Sequence, residues 1–334
     1  MKTVSNLFLN LGNAPWLSDQ LQAHGTARFE DHKERAVVIT GASSGIGKAC
    51  ALHLVKKGFI VFAGVRKESD GLALRNVSSE LMKPVIIDVT VPKSIEEAKL
   101  QVERNVAGSG VSLDLVNNAG ITLGGPLEFL SPEEFTKELD VNLVGVLRVT
   151  QAFLPMIRRC QGRIVNMSST SGLIAFPFLG PYAASKFGLE AISDAWRIEL
   201  RPWNIPVSVI EPGDVATPLW EKSVDFVDRM VKQWPKRAFT LYGPIVSLND
   251  KIKRHGIEPE KVAFAVEHAL CSPRPHPRYR VGQNLALMDI VMNLPLGIRD
   301  RLIAGQLPRY GNWKTGYRPD FRKTMKGRKI GRVN

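Results

Sequence analysis

Apolar residues in this chain follow two rhythms. Short unbroken runs rich in β-branched side chains recur at Ala36–Thr40, Ile60–Gly64, Val85–Asp88, Leu113–Asn117, Arg163–Asn166 and Val207–Ile210. Between them, at Lys48–Lys57, Ser94–Val106, Pro132–Arg159 and Ala183–Leu200, the apolar positions take helical spacing. A strand covered on both faces has no solvent side and therefore needs no polar alternation, so unbroken runs point to a parallel sheet. Strands that alternate with helices of this length require right-handed crossovers. The pattern predicts an α/β fold: a single doubly wound parallel sheet with helices on both faces. Beyond Pro212-Gly213 the texture changes to large apolar side chains, among them Leu219, Trp220, Phe226, Met230, Trp234, Phe239, Leu241 and Tyr242. A helix over 259–271 and a short strand over Tyr279–Gly282 follow. The expected organisation is an N-terminal extension (1–34), one main domain (35–305) and a C-terminal tail (306–334).

Composition narrows the class. The chain has 334 residues, of which 44% are hydrophobic and 23% charged, values of an ordinary globular protein. Cys50, Cys160 and Cys271 lack any paired spacing, so neither a disulfide framework nor a zinc motif is expected, and a reducing compartment is favoured. The six histidines form no HExxH, which argues against a metal centre. The net charge of +13 is concentrated at one end. From Pro308 onward nine Lys and Arg face the single acid Asp320, so +8 of the +13 belongs to the tail. Tyr310, Trp313, Tyr317 and Phe321 interleave with those cations, a composition suited to an anionic membrane surface, with nucleic acid the weaker alternative. No transmembrane span is expected: Leu7–Leu11 is too short for a membrane helix and lacks the n-region and h-region of a signal peptide. A cytoplasmic or peripherally membrane-associated protein is expected.

Candidate chemistry begins at Thr40-Gly41-Ala42-Ser43-Ser44-Gly45-Ile46-Gly47, where the first strand gives way to the first helix. Glycines there allow a tight turn and let backbone N–H groups approach a pyrophosphate at a helix N-terminus, as in a Rossmann-like dinucleotide site. The acid that commonly holds a ribose 2′-hydroxyl after the second strand is absent; Arg66 and Lys67 stand there instead. Two cations suit a 2′-phosphate, which favours NADP(H), with NAD(H) as the alternative and a solvated basic loop as the plainer reading.

Tyr182 and Lys186 lie four apart in a helical stretch and share a face. A phenol titrates near ~10 unperturbed, and a neighbouring ammonium favours its ionised form, which makes such a tyrosine a usable acid or base.

With Asp88-Val89, Asn117-Asn118-Ala119-Gly120, Asn142, Ser169, and Pro212-Gly213 with Thr217, these motifs make the chain resemble a short-chain dehydrogenase/reductase across roughly residues 35–218. The resemblance implies that Tyr182 passes the proton at the substrate oxygen and that Lys186 lowers the Tyr182 pKa and bonds the nicotinamide ribose. Ser169 would orient the carbonyl or alcohol, ahead of Ser168 and Ser171, and Asn142 would anchor a water. Gly41, Ser43, Ser44, Gly45, Ile46, Gly47, Arg66, Asp88, Val89, Asn118, Ala119 and Gly120 would hold the cofactor. So would Tyr182, Lys186, Pro212, Gly213, Val215 and Thr217. The segments 57–64 and 153–158 are similar to the hydroxysteroid and retinol dehydrogenase branch, which implies a lipophilic alcohol or ketone under a lid at about 218–256. The same lid aromatics are equally readable as core. A homo-oligomer is also implied. The alternatives are a nucleotide-binding redox sensor or scaffold without turnover, and a dehydrogenase of small polar hydroxy compounds.

Overall fold

The computed structural model describes residues 35–239, 241–242, 256–283 and 285–306. The expected extension 1–34, lid residues 243–255 and tail from 307 onward lie outside the described residues.

Seven strands form one sheet in the order β3-β2-β1-β4-β5-β6-β7. They are β1 (Arg35–Ile39), β2 (Ile60–Val65), β3 (Met82–Ile86), β4 (Ser112–Asn117), β5 (Ile164–Met167), β6 (Val207–Pro212) and β7 (Arg278–Val281). Every pairing is parallel, as the unbroken apolar runs require. The order reverses direction between β1 and β4, and at this switch the carboxyl ends of the strands leave the crevice in which open α/β sheets bind ligands.

Helices cover both faces. On one side α1 (Gly45–Lys56) packs with α8 (Pro259–Cys271), sharing a core that includes Cys50, Leu54, Val262 and Val266. On the other side α3 (Pro92–Val106), α5 (Gly145–Cys160) and α6 (Gly180–Glu199) enclose Phe62, Val102, Phe153 and Leu189. Helix α2 (Glu68–Asn76), for which no helical pattern was read, closes the β2–β3 crossover.

The predicted helix over Pro132–Arg159 divides in two. Its first part, α4 (Pro132–Leu139), starts on a capping box in which Ser131 Oγ accepts from Glu134 N and Glu134 accepts from Ser131 N. A π turn over Asp140–Val144 then leads into α5. Such wide turns often mark functional positions, and this one carries Asn142.

The segment after β6 forms α7 (Pro218–Lys232), and two further helices, α9 (Leu285–Asn293) and α10 (Leu296–Gln306), end the described chain. Among the described residues no helix is long and apolar enough to cross a membrane, and no group of side chains is set to hold a metal. None of the three cysteines forms a disulfide among the described residues.

Candidate active site

The loop after β1 is built on glycine because the chain doubles back against its neighbours. Gly41 and Gly45 have φ of +67° and +56°, the left-handed region that favours glycine. A Cβ on Gly47 would lie 2.4 Å from both Gly41 O and Asn118 Nδ2. Thr40 Oγ1 accepts from the backbone N–H groups of Asn118 and Ala119, both at 3.0 Å, which fastens the loop after β4 to the loop after β1. Helix α1 starts at Gly45 with no side-chain cap and no acid in its first turn. Its N-terminal N–H groups therefore face the crevice as an anion site.

One cavity of about 650 Å³ runs from this loop to the catalytic candidates. It is lined by Gly41, Ser43, Ser44, Gly45 and Ile46, by Arg66, Asp88 and Val89, and by Asn118, Ala119 and Gly120. Ser169, Tyr182, Lys186, Pro212, Gly213, Val215 and Thr217 complete the expected set along the same wall. Close-approach glycines, an uncapped helix terminus and a basic side chain at the far end fit a dinucleotide.

Two expected residues stand elsewhere. Gly47 is buried behind the loop, and its missing Cβ makes room for Gly41 and Asn118 instead of for a ligand. Asn142 is fully buried and its side chain is already committed. Its Oδ1 accepts from Ile121 N at 2.9 Å, while Nδ2 donates to Ile121 O at 2.9 Å and to Ser185 Oγ at 3.1 Å. Asn142 thus braces a cavity wall. Lys67, expected beside Arg66, precedes α2 without a side-chain capping bond and does not line the cavity.

Helix α6 carries Tyr182 and Lys186 on its buried face, 7% and 4% exposed. Ser169 follows β5, where its Oγ accepts from Ser171 N at 3.1 Å, and it acts to lower the pKa of the Tyr182 phenol. Lys186 Nζ donates to Met167 O at 2.7 Å and lies 5.6 Å from the Tyr182 ring centroid. The electrostatics differ from the expectation of a lowered phenol. Burial pushes Tyr182 up to about 12, against the Ser169 hydrogen bond and with help from the Glu138 charge. Burial pushes Lys186 down to about 8, opposed by Glu138 and Glu190. Removal from water is the largest cause for both groups, because a low-dielectric site penalises whichever form is charged.

At the other end, Asp88 Oδ1 accepts from Thr90 N at 2.9 Å and Thr90 Oγ1 at 2.6 Å. Desolvation is the largest single influence on Asp88 and raises it, but these two bonds and the Arg66 charge together outweigh it and hold the carboxyl below the ordinary range. Helix α6 is also tied down from outside. Arg278 on β7 reaches Glu190 at 3.2 Å and Asp194 at 2.7 Å on α6, and Glu211 on β6 at 3.2 Å.

The aromatic segment after Thr217 splits between two roles. Met230, Trp234 and Ala238 are buried in a small core of their own, packed with Phe129 and Phe239, so these are structural and not pocket walls. Leu219 and Phe226 line the cavity, joined by Arg229. The Trp220 side chain lies outside what the structure describes. Sequence reasoning missed Thr122, Leu123, Lys137 and Arg229, which also line the cavity, and the buried Glu138 beside it. None of these carries a local motif; only the fold brings them to the crevice.

Residues 35–228 match the profile of the short chain dehydrogenase family. Short-chain dehydrogenase/reductase family 9C member 7 of Homo sapiens is 38% identical over 287 residues, covering 83% of this chain and 91% of the relative. The mitochondrial D-beta-hydroxybutyrate dehydrogenase of Bos taurus is 36% identical over 286 residues, covering 80% and 83%. The 17-beta-hydroxysteroid dehydrogenase type 6 of Bos taurus is 36% identical over 287 residues, covering 83% and 90%. A solved short-chain dehydrogenase from Streptomyces avermitilis superposes with a TM-score of 0.65 at 25% identity, covering 83% of this chain and 96% of that one. With its parallel sheet, glycine loop and buried tyrosine–lysine helix matched in this way, the chain belongs to the short-chain dehydrogenase/reductase family of NAD(P)(H)-dependent alcohol–carbonyl oxidoreductases.

Proposed function

We propose that the chain is an NADP(H)-preferring reductase or dehydrogenase of a lipophilic alcohol or ketone, with Tyr182 as its proton-transfer group. The observation that carries this reading is the single cavity in which Tyr182, Lys186 and Ser169 meet the glycine loop. The nicotinamide dinucleotide supplies or accepts the hydride when bound. The chain's own residues do the rest. Ser169 and the Tyr182 hydroxyl hold the substrate oxygen, and the phenol, protonated at neutral pH because burial raises it, donates its proton to a carbonyl being reduced. Lys186 keeps an ammonium close to the site below about pH 8, and its charge favours proton loss from Tyr182 in the oxidative direction. Gly41, Ser43, Ser44, Gly45 and Ile46 bind the pyrophosphate, Asp88 and Val89 the adenine, and Asn118–Gly120 the floor. Pro212, Gly213, Val215 and Thr217 take the carboxamide end. Asn142 keeps the Ile121 wall and Ser185 in place.

Arg66 supports the NADP(H) preference, since a guanidinium at the ribose end matches a 2′-phosphate. Leu219 and Phe226 support an apolar substrate, because a nonpolar wall excludes water and rewards size. The hydroxybutyrate dehydrogenase relative keeps small hydroxy acids as the second reading. Half-exposed Leu147 and Phe187 on α5 and α6 support a homo-oligomer, and the tail's nine cations against one acid support contact with an anionic membrane surface. Turnover with NADPH and NADH against steroid, retinoid and short-chain ketones tests the whole reading. Activity confined to small polar hydroxy acids, or to NADH, would replace it.

A further inference from the structure

A fully buried carboxyl stands behind the reaction centre with no role in the chemistry above. Glu138, in the last turn of α4, is 0% exposed. Its Oε2 accepts from Leu123 N at 3.1 Å, and its Oε1 is buried without a protein partner. One helical turn on, Asn142 grips both backbone groups of Ile121. The pair Glu138 and Asn142 thus holds residues 121–123 as a short second rail, and that segment is a wall of the cavity.

Lys186 lies against the start of the same segment: its Nζ is 3.9 Å from the position a Cβ would take on Gly120, where Asn142 Oδ1 is 3.3 Å away. Glu138 and Lys186 therefore flank one stretch of backbone from two helices. We infer that Glu138 is a positioning residue of the reaction centre, a buried carboxyl that grips the wall at Leu123 and sustains the charge on Lys186. The inference rests on Tyr182 and Lys186 forming the chemical centre.

The neighbouring charges leave this task to Glu138. Glu190, the other acid acting on Lys186, is engaged by Arg278. Asp140, in the π turn, pairs with Arg148 at 2.8 Å, and Lys137 is exposed. Burial pushes Glu138 up to about 8, against the Leu123 hydrogen bond and the Lys186 charge. Lys186 is pushed down to about 8 as well. The carboxylate thus forms in the pH range where the ammonium would otherwise be lost.

Glu138→Gln keeps an acceptor for Leu123 N and removes the charge. In the holoenzyme, the alkaline limb of kcat/KM should move about one pH unit toward acid, the size typical of one lost opposite charge at short range. In the apoprotein, ultraviolet titration against a Tyr182→Phe blank should find the Tyr182 phenol ionising at lower pH, because a raising charge has gone. Glu138→Asp should restore both curves toward wild type. If either curve of Glu138→Gln superimposes on wild type, Glu138 is only a structural peg and the inference fails. If Glu138→Gln does not fold, a carboxyl-¹³C titration of wild-type protein decides: a Glu138 resonance titrating with the surface glutamates overturns it. Full turnover in Tyr182→Phe would instead sink the underlying reading, and the apoprotein phenol titration would still judge Glu138.

Discussion

Asn118 Nδ2 donates to the backbone carbonyls of both Thr40 and Gly41, at 2.9 and 3.2 Å. One side chain from the end of β4 thereby shapes the glycine loop at the end of β1, and Gly47 must stay bare to let it through. Preorganisation of this kind places N–H donors before a ligand arrives, so the cost of ordering them is met on folding.

Gly47→Ala is accordingly expected to damage both the loop and the fold. A Cβ at 2.4 Å from Gly41 O and Asn118 Nδ2 forces them apart, and overpacking of this sort costs about 1–3 kcal/mol. The thermal midpoint should fall and NADPH affinity with it. Gly297→Ala, with nothing within 4 Å of its Cβ, is the control and should stay within about 0.5 kcal/mol of wild type. Equal behaviour of the two variants would contradict the crowding.

Tyr182→Phe should bind cofactor and lose turnover. A general acid or base contributes about 10²–10⁴ in rate, and the ring itself, which packs in the wall, is retained. Single-turnover measurement with saturating substrate checks this. Retention of more than about a tenth of the wild-type rate, far short of that range, would exclude the phenol as the proton-transfer group.

Arg66→Ala should weaken NADPH binding and leave NADH nearly unchanged. A charge-assisted hydrogen bond is worth about 1.5–3 kcal/mol, roughly ten- to hundredfold in affinity. Fluorescence titration with both cofactors measures it. Wild-type protein that binds them equally, or prefers NADH, rules out the 2′-phosphate role.

Ketones of rising chain length should be turned over with rising kcat/KM. Each methylene buried against Leu219 and Phe226 adds about 0.8 kcal/mol, and the gain ends when the apolar wall is filled. A maximum at the shortest members would point to the small hydroxy compounds.

Stability should carry the signature of Glu138. Its carboxyl is raised from 4.5 to about 8 in the folded protein, so between those values the native state keeps a proton that the unfolded chain releases. Folding therefore weakens as pH rises through that window, by at most about 1.4 kcal/mol per pH unit for one proton. Denaturant midpoints of wild type should fall relative to Glu138→Gln from pH 4.5 toward 8. Parallel curves would mean an ordinary, early-titrating acid.

What the sequence determined by itself is the part governed by local physics. Unbroken apolar runs marked β1, β2, β4, β5 and β6, because two-sided burial removes alternation, whereas the β3 run began three residues late and β7, Arg-Tyr-Arg-Val, is only partly buried. The glycine spacing named the loop, and the four-residue interval put Tyr182 and Lys186 on one helix face. Tertiary structure decided whatever depends on residues distant in the chain. Tyr182 is raised, not lowered, because burial in the packed chain and the Glu138 charge outweigh the hydrogen bond from Ser169. Gly47 and Asn142 turn inward because Asn118 and Ile121 claim the space and the hydrogen bonds beside them. Trp234 is buried within the short core beside Phe129, whereas Phe226 packs against that core and also lines the cavity. Glu138 reads as one more acid in a charged helix turn until the fold buries it against Leu123, for burial and long-range charge are properties of the packed chain, not of its local pattern.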